Sequence, residues 1–244
     1  MVSYFVNSPI YAITQLGFVV LTLAAYGWTF HLFKAGMSAA GFSAERRKRT
    51  FRWSVALLGA WVFFISYFSL RGFFADFTGF PPRMAIVFVV PLVTIIALMF
   101  SKRFKEILLH VPPEKIIRLQ VFRVFVEILL WLLLLQNLLP IQMSFEGRNF
   151  DILTGLTAPF VAWYVATRKW SPALLMAWNA AGLMLLFNIM IIAILSMPTP
   201  IRYFRNDPAN TIVTTFPFIW LPGLLVPLAY ALHAFSIRQI LTSK

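Results

Sequence analysis

The sequence predicts an all-α fold, a polytopic transmembrane helical bundle of seven spans that forms one domain over residues 1–244. Two observations carry that prediction. The chain is 60% hydrophobic and only 12% charged, against roughly 25% charged in soluble globular domains, and its mean hydropathy is +0.81. Its apolar residues also fall into runs long enough for a hydrocarbon core of about 30 Å, with the cations gathered between the runs.

Taken in order, span 1 runs from about Pro9 to Phe33, opened by Ser8-Pro9 and closed by Lys34. The densest basic stretch follows, with Arg46, Arg47, Lys48, Arg49 and Arg52 in the connection to span 2. A run of this kind sets topology on a solvated face, and it also suits anionic lipid or a partner. Span 2 covers about Trp53 to Phe74 and ends in a turn flanked by Asp76 and Arg83. Span 3, about Met84 to Phe100, is interrupted by Pro91 and exits through the basic loop SKRFKEILLHVPPEK. Span 4 is expected from Ile116 to Leu139, span 5 from Ile152 to Thr167, and span 6 from Pro172 to Ser196, capped by Ser171. Span 7, from Ile212 to Phe235, contains Pro217, Pro222, Gly223 and Pro227, so its outer half is not expected to be one straight helix.

The net charge of +13 sits in the connections. One side holds Lys34, Arg46, Arg47, Lys48, Arg49, Arg52, Lys102, Arg103, Lys105, Lys115, Arg168, Lys169, Arg238 and Lys244; the other holds Arg71, Arg83, Arg148, Arg202 and Arg205. That imbalance places the N-terminus outside and the C-terminus in the cytoplasm. It also argues against nucleic acid, because no surface interleaves basic and aromatic residues. The partners expected are membrane lipids and a small-molecule ligand. Cysteine is absent, which excludes disulfides, thiolate nucleophiles and iron–sulfur ligation. The opening residues MVSYFVNSPIYAITQ have no basic n-region, so a signal peptide is not expected.

Span 4 carries the costliest residues. Gln120, Arg123 and Glu127 share one helical face that Trp131 and Leu134 continue, and a charge near a bilayer centre costs about 3 kcal/mol or more unless it faces a partner or cavity. One reading makes Glu127 a carrier or anchor for a cation, proton or polar ligand; the other makes Arg123 and Glu127 an i,i+4 ion pair that holds helices together. The next connection supplies Glu146, Arg148, Asn149 and Asp151 around Gly147, expected at the outer surface, with Asp76 a further carboxylate nearby. Asn149 or Asp151 is also suited to cap span 5. His31, His110 and His233 all fall toward the cytoplasmic side, and His31 with His233 would suit a b-type haem or a metal if spans 1 and 7 were neighbours. No other feature calls for either group, and neither is expected. Asn179 and Asn188 lie on opposite faces of span 6 and read as interhelical hydrogen-bonding residues.

The strings FFADFTGFPPR (73–83), SFEGRNFDILTGLTAP (144–159), AWNAAGL (177–183) and LSMPTP (195–200) resemble an uncharacterised family of bacterial multi-pass inner-membrane proteins. The resemblance implies a bacterial plasma-membrane setting and no particular reaction. Seven spans with an outside N-terminus are also similar to the topology of microbial rhodopsins and seven-helix receptors. Span 7 has no lysine, so a retinal Schiff base is excluded.

The residues therefore point to a non-enzymatic protein that binds, senses or transports a small polar or amphipathic molecule. Its site would be built from Gln120, Arg123, Glu127, Glu146, Arg148, Asn149 and Asp151. An intramembrane enzyme with carboxylate acid/base groups acting on a lipid-linked substrate is the alternative, weakened by the lack of HExxH, GxSxG, nucleotide-loop or multi-His motifs. A non-catalytic scaffold or complex subunit is the third. The orientation is directly testable: a reporter after Lys244 should be cytoplasmic and a tag before Met1 outside, and both on one side would mean that a span is miscounted.

Overall fold

The computed structural model describes residues 8–167 and 171–242; among them there are helices and connections and no strand. Arg168, Lys169 and Lys244, which enter the charge count above, lie outside the described residues. Helix α1 is Pro9–Ala39, with the Ser8 hydroxyl accepting from the Tyr11 amide at 3.1 Å and Pro9 supplying a first-turn φ at no hydrogen-bond cost. Helix α2 is Ala44–Leu70 and is capped by Ser43. The basic run expected as a loop instead forms the first turns of α2, because Ser43 starts the helix ahead of it.

Helix α3, Ala85–Phe100, and helix α4, Lys102–Leu109, meet at 78° across Ser101. The sequence predicts a basic loop over residues 101–115. Ser101 is extended and its hydroxyl accepts from the Phe104 amide at 3.2 Å, so it caps a new helix. The span expected from Ile116 to Leu139 is two helices, α5 (Pro113–Leu119) and α6 (Phe122–Leu135). They join through a tightened turn in which Gln120 N–H donates to Ile117 O at 3.0 Å and Val121 N–H to Arg118 O at 3.2 Å. Helix α7 is Ile152–Thr167, α8 is Pro172–Leu195, and α9 is Val226–Thr242.

Among the described residues, four helical stretches are long and apolar enough to cross a membrane: α1, α2, α8 and Leu221–Thr242. A fifth is present if the bent α3–α4 pair is one span. Helices α5 to α7 are 7, 14 and 16 residues long, and so each falls short of that length.

The last stretch is the centre of the molecule. Helices α3, α4, α5 and α8 pack on α9, and α1 reaches the turn that begins it. In Leu221–Thr242, 61% of the most apolar window is buried, compared with 11 to 22% for the other three. The prolines expected to break this span do so: a 3₁₀ turn at Ile212–Thr214 and a π-turn at Leu221–Leu225 precede the helix. Pro227 has no N–H, which orphans the carbonyl four residues earlier. That carbonyl, Gly223 O, accepts from Trp61 Nε1 at 3.0 Å, while the neighbouring Leu224 O accepts from Tyr26 Oη at 3.2 Å. The freed backbone is thus bonded to side chains of α1 and α2. At the other end, Arg238 donates to Leu98 O and Ser101 O, both at 2.9 Å, adding a second bond to carbonyls at the α3–α4 bend that already accept from the Ser101 and Lys105 amides.

Trp61→Phe keeps the ring and strands Gly223 O. Its expected cost is about 1–3 kcal/mol of unfolding free energy in detergent; an unchanged unfolding midpoint would show that this carbonyl needs no side-chain donor.

Candidate functional site

Gln142, Ser144 and Asn188 fold the connection between α6 and α7 back onto the helices. Gln142 Nε2 donates to Ser196 Oγ and its Oε1 accepts from Asn206 Nδ2, both at 2.9 Å. Ser144 O accepts from the amides of Gly147 at 2.9 Å and Asn149 at 3.2 Å. Asn188 Nδ2 donates to Arg148 O at 3.0 Å. Any Cβ at Gly147 would strike the Ile141 carbonyl, so glycine is what lets the turn close. The result turns Asn149 and Asp151 inward, both buried, although the sequence reading placed them at an outer surface.

There they meet α6. Arg123 Nε donates to Asp151 Oδ2 at 2.8 Å and Nη2 donates to Oδ1, a bidentate pair. Of the two readings of this face, the i,i+4 ion pair is the one that does not form: the guanidinium turns to Asp151, and among the described residues no Arg123–Glu127 ion pair is present. Glu127 is instead held by Asn149, whose Nδ2 donates to Glu127 Oε1 at 2.6 Å and to Met143 O at 3.1 Å. Asn149 Oδ1 accepts from the Asp151 amide at 3.1 Å, so one amide side chain orders both carboxylates.

The network continues to α9 and α8. Arg123 Nη1 lies 2.9 Å from His233 Nε2, and His233 Nδ1 lies 2.9 Å from Asn179 Oδ1. A guanidinium only donates, so Nε2 must accept and the imidazole proton sits on Nδ1, donating to Asn179. Asn179 Nδ2 is committed to Leu175 O at 2.8 Å and Ser236 Oγ at 2.9 Å, which fixes the amide's orientation. A Cβ at Gly182 would overlap the His233 ring, so α8 reaches the imidazole only through a glycine.

The structure therefore brings together Arg123, Glu127, Asn149 and Asp151, and adds His233 and Asn179. Three of the expected residues stand apart. Gln120 is buried but donates to Ala229 O at 3.3 Å on α9. Glu146 is exposed and accepts from Trp131 Nε1 at 2.6 Å, and Arg148 is exposed with its guanidinium 5.4 Å from the Phe204 ring. Asp76 is closed on its own loop, paired with Arg83 at 2.8 Å; the Thr78 hydroxyl and amide, with Arg83 behind them, hold its carboxyl below the usual range. His31 is exposed beside Trp28, whereas His233 is enclosed, so the two do not form the pair that a haem would need. Among the described residues no three His, Cys, Asp or Glu side chains are grouped to hold a metal ion.

Glu127, Asn149 and Asp151 form the polar corner of a cavity of about 60 Å³, room for roughly four waters. Its other walls are mostly apolar, among them Phe88, Leu130, Met143, Leu186, Met190 and Met197. Glu127 is 2% exposed, and among the described residues its Oε2 has no hydrogen-bond partner. Asn210 also lines the cavity; nothing in the sequence distinguished it from an ordinary loop residue.

Arg123→Ala leaves the Asp151 carboxylate buried and alone, at an expected cost of about 3–5 kcal/mol. Glu127→Gln keeps an acceptor for Asn149 and should cost under about 1 kcal/mol. Denaturation of both variants in one detergent checks the order, and equal destabilisation would remove the distinction drawn between the two residues.

Residues 81–241 match the model of a family described as a domain of unknown function (DUF8737), a stretch that includes every residue of the network. No curated protein and no solved structure matches the chain.

Proposed function

The chain belongs to the DUF8737 family, and we propose that it is a membrane protein that binds, senses or transports a small polar or amphipathic molecule in the cavity beside Glu127. One observation carries the reading: Glu127 lines a largely apolar cavity, and its buried Oε2 has no hydrogen-bond partner among the described residues. A buried acceptor left unpaired costs about 1–3 kcal/mol, and more when charged, so folds keep one where a ligand or proton completes it. Arg123 and Asp151 satisfy each other and act as the scaffold that aims Asn149 at Glu127.

The enzyme reading draws less support. It needs two carboxylates facing one substrate, but Glu146 is at the surface and Asp151 is engaged by Arg123. The setting we propose is a bacterial plasma membrane crossed seven times, N-terminus outside, with α5 and α6 stacked as one crossing. Their combined run, Pro113–Leu135, is roughly 35 Å long at 1.5 Å per residue, which suits a hydrocarbon core of about 30 Å.

The native chain has no cysteine, so any introduced thiol reports alone. Met190→Cys and Leu186→Cys, both in the cavity wall, should react with a membrane-impermeant thiosulfonate added to the outer face of spheroplasts. The exposed control Ile201→Cys should react as well. Labelling of the control but of neither cavity position, from either face, would defeat a ligand site that communicates with solvent.

A further inference from the structure

The class of molecule that the cavity takes can be read from what its wall lacks. Resting on the binding role proposed above, the ligand class follows from the side-chain nitrogens at and behind the polar corner, each of which already has an acceptor. Arg123 is spent on Asp151 and His233, Asn149 Nδ2 on Glu127 Oε1 and Met143 O, and Asn210 Nδ2 on Ala193 O at 3.1 Å. Among the described residues, two buried oxygens of the lining residues have no hydrogen-bond partner: Glu127 Oε2 and Asn210 Oδ1. The bond from Asn210 Nδ2 to a carbonyl identifies the other atom as the oxygen. Both unfilled positions are therefore acceptors, and the occupant must be a donor.

Charge narrows the choice. The ionisable groups around the corner are Arg123 and Glu127 on α6, Asp151 before α7, and Tyr230 and His233 on α9, where Tyr230 is near enough to feel Arg123. Helices α3 and α8 contribute only apolar side chains to the cavity wall. His233 is fixed as a neutral ring by its two bonds, and Arg123 is balanced by Asp151. An ionised Glu127 is one negative charge without a counter-charge, so a single positive charge is missing, to be supplied by a proton or by the ligand. A bare metal ion is a poor fit, because hard cations such as Ca²⁺ or Mg²⁺ want about six or more oxygens and two are free. A protonated primary amine offers three N–H donors on one cation. Three methionine side chains and Phe88 in the wall provide polarisable and apolar surface for its alkyl part. At about 10–15 Å³ per group, 60 Å³ holds roughly four to six heavy atoms.

We propose that this cavity takes a small alkylammonium ion, its N–H groups bonded to Glu127 Oε2 and Asn210 Oδ1, in exchange for a proton carried by Glu127 in the ligand-free protein. The exchange balances: the ammonium enters with one positive charge, the Glu127 O–H bond breaks, and one proton leaves to solvent. Affinity then rises about tenfold for each pH unit over the range in which ligand-free Glu127 is protonated and the amine is still charged.

The test titrates the full chain in detergent by calorimetry with n-propylammonium chloride, 1-propanol and sodium propionate, at matched ionic strength and in two buffers of different ionisation enthalpy. The expected result is saturable binding of propylammonium alone, with about one proton released per ligand. Binding should fall at least tenfold in Glu127→Gln and measurably in Asn210→Ala, with helix content by circular dichroism unchanged in both. Propylammonium binding that survives Glu127→Gln overturns the proposal, as does the absence of propylammonium binding. Propanol binding that depends on Glu127 overturns the cationic class while leaving a ligand site in place. If the cavity cysteines label but no ammonium binds, the ligand class fails and the binding role stands; if neither occurs, both fail.

Discussion

Arg123 is the largest fully buried side chain among the described residues, and the arrangement around it follows from the requirements of a guanidinium out of water. It must be neutralised and each of its three nitrogens must find an acceptor, or the fold loses several kcal/mol. Asp151 supplies the charge and two acceptors, and His233 supplies a third. Meeting that demand pulls the α6–α7 turn inward, presses α7 and α9 toward α6, and requires α8 to present Asn179 and a glycine to the imidazole. Glu127 is then the residue left over. Its amide partner is shared with Asp151's backbone, and no second cation reaches it.

Much of this was legible in the chain. Ser-Pro pairs at 8–9 and 171–172 mark helix starts that the structure places at Pro9 and Pro172, since a hydroxyl cap and a proline first turn are local chemistry. That Arg123 and Glu127 need polar partners follows from cost, since charges on an apolar helix are expensive alone; that Asn149 and Asp151 supply them from inside did not follow, because a polar turn at a helix end reads as outer surface. Which partner each residue takes was not legible, because an i,i+4 pair and a cross-turn pair satisfy the same charge balance. Nor were the roles of Asn179 and His233, whose bond spans 54 positions. The usable sign was Gly182, three residues after Asn179 and so on the same face, where a neighbouring helix can approach closely.

The loops misread as structureless have a common cause. Ser43 and Ser101 each precede a basic, amphipathic stretch, and each starts a helix where charge density suggested a solvated connection. A hydroxyl that satisfies a first-turn amide decides helix formation locally, whereas charge decides only which face meets water. The count of spans is sensitive to the same point: the break at Gln120–Val121 divides an apolar run that composition alone reads as continuous.

The central position of α9 means that, among the described residues, the least apolar of the four long candidate spans is also the one on which the others pack. Without it, Arg123 lacks its histidine acceptor, Gln120 lacks Ala229 O, and the bend between α3 and α4 lacks the Arg238 contacts. What this stretch gives up in apolarity it recovers in polar bonds to its neighbours, so its place in the bundle is set by side-chain partners more than by hydropathy.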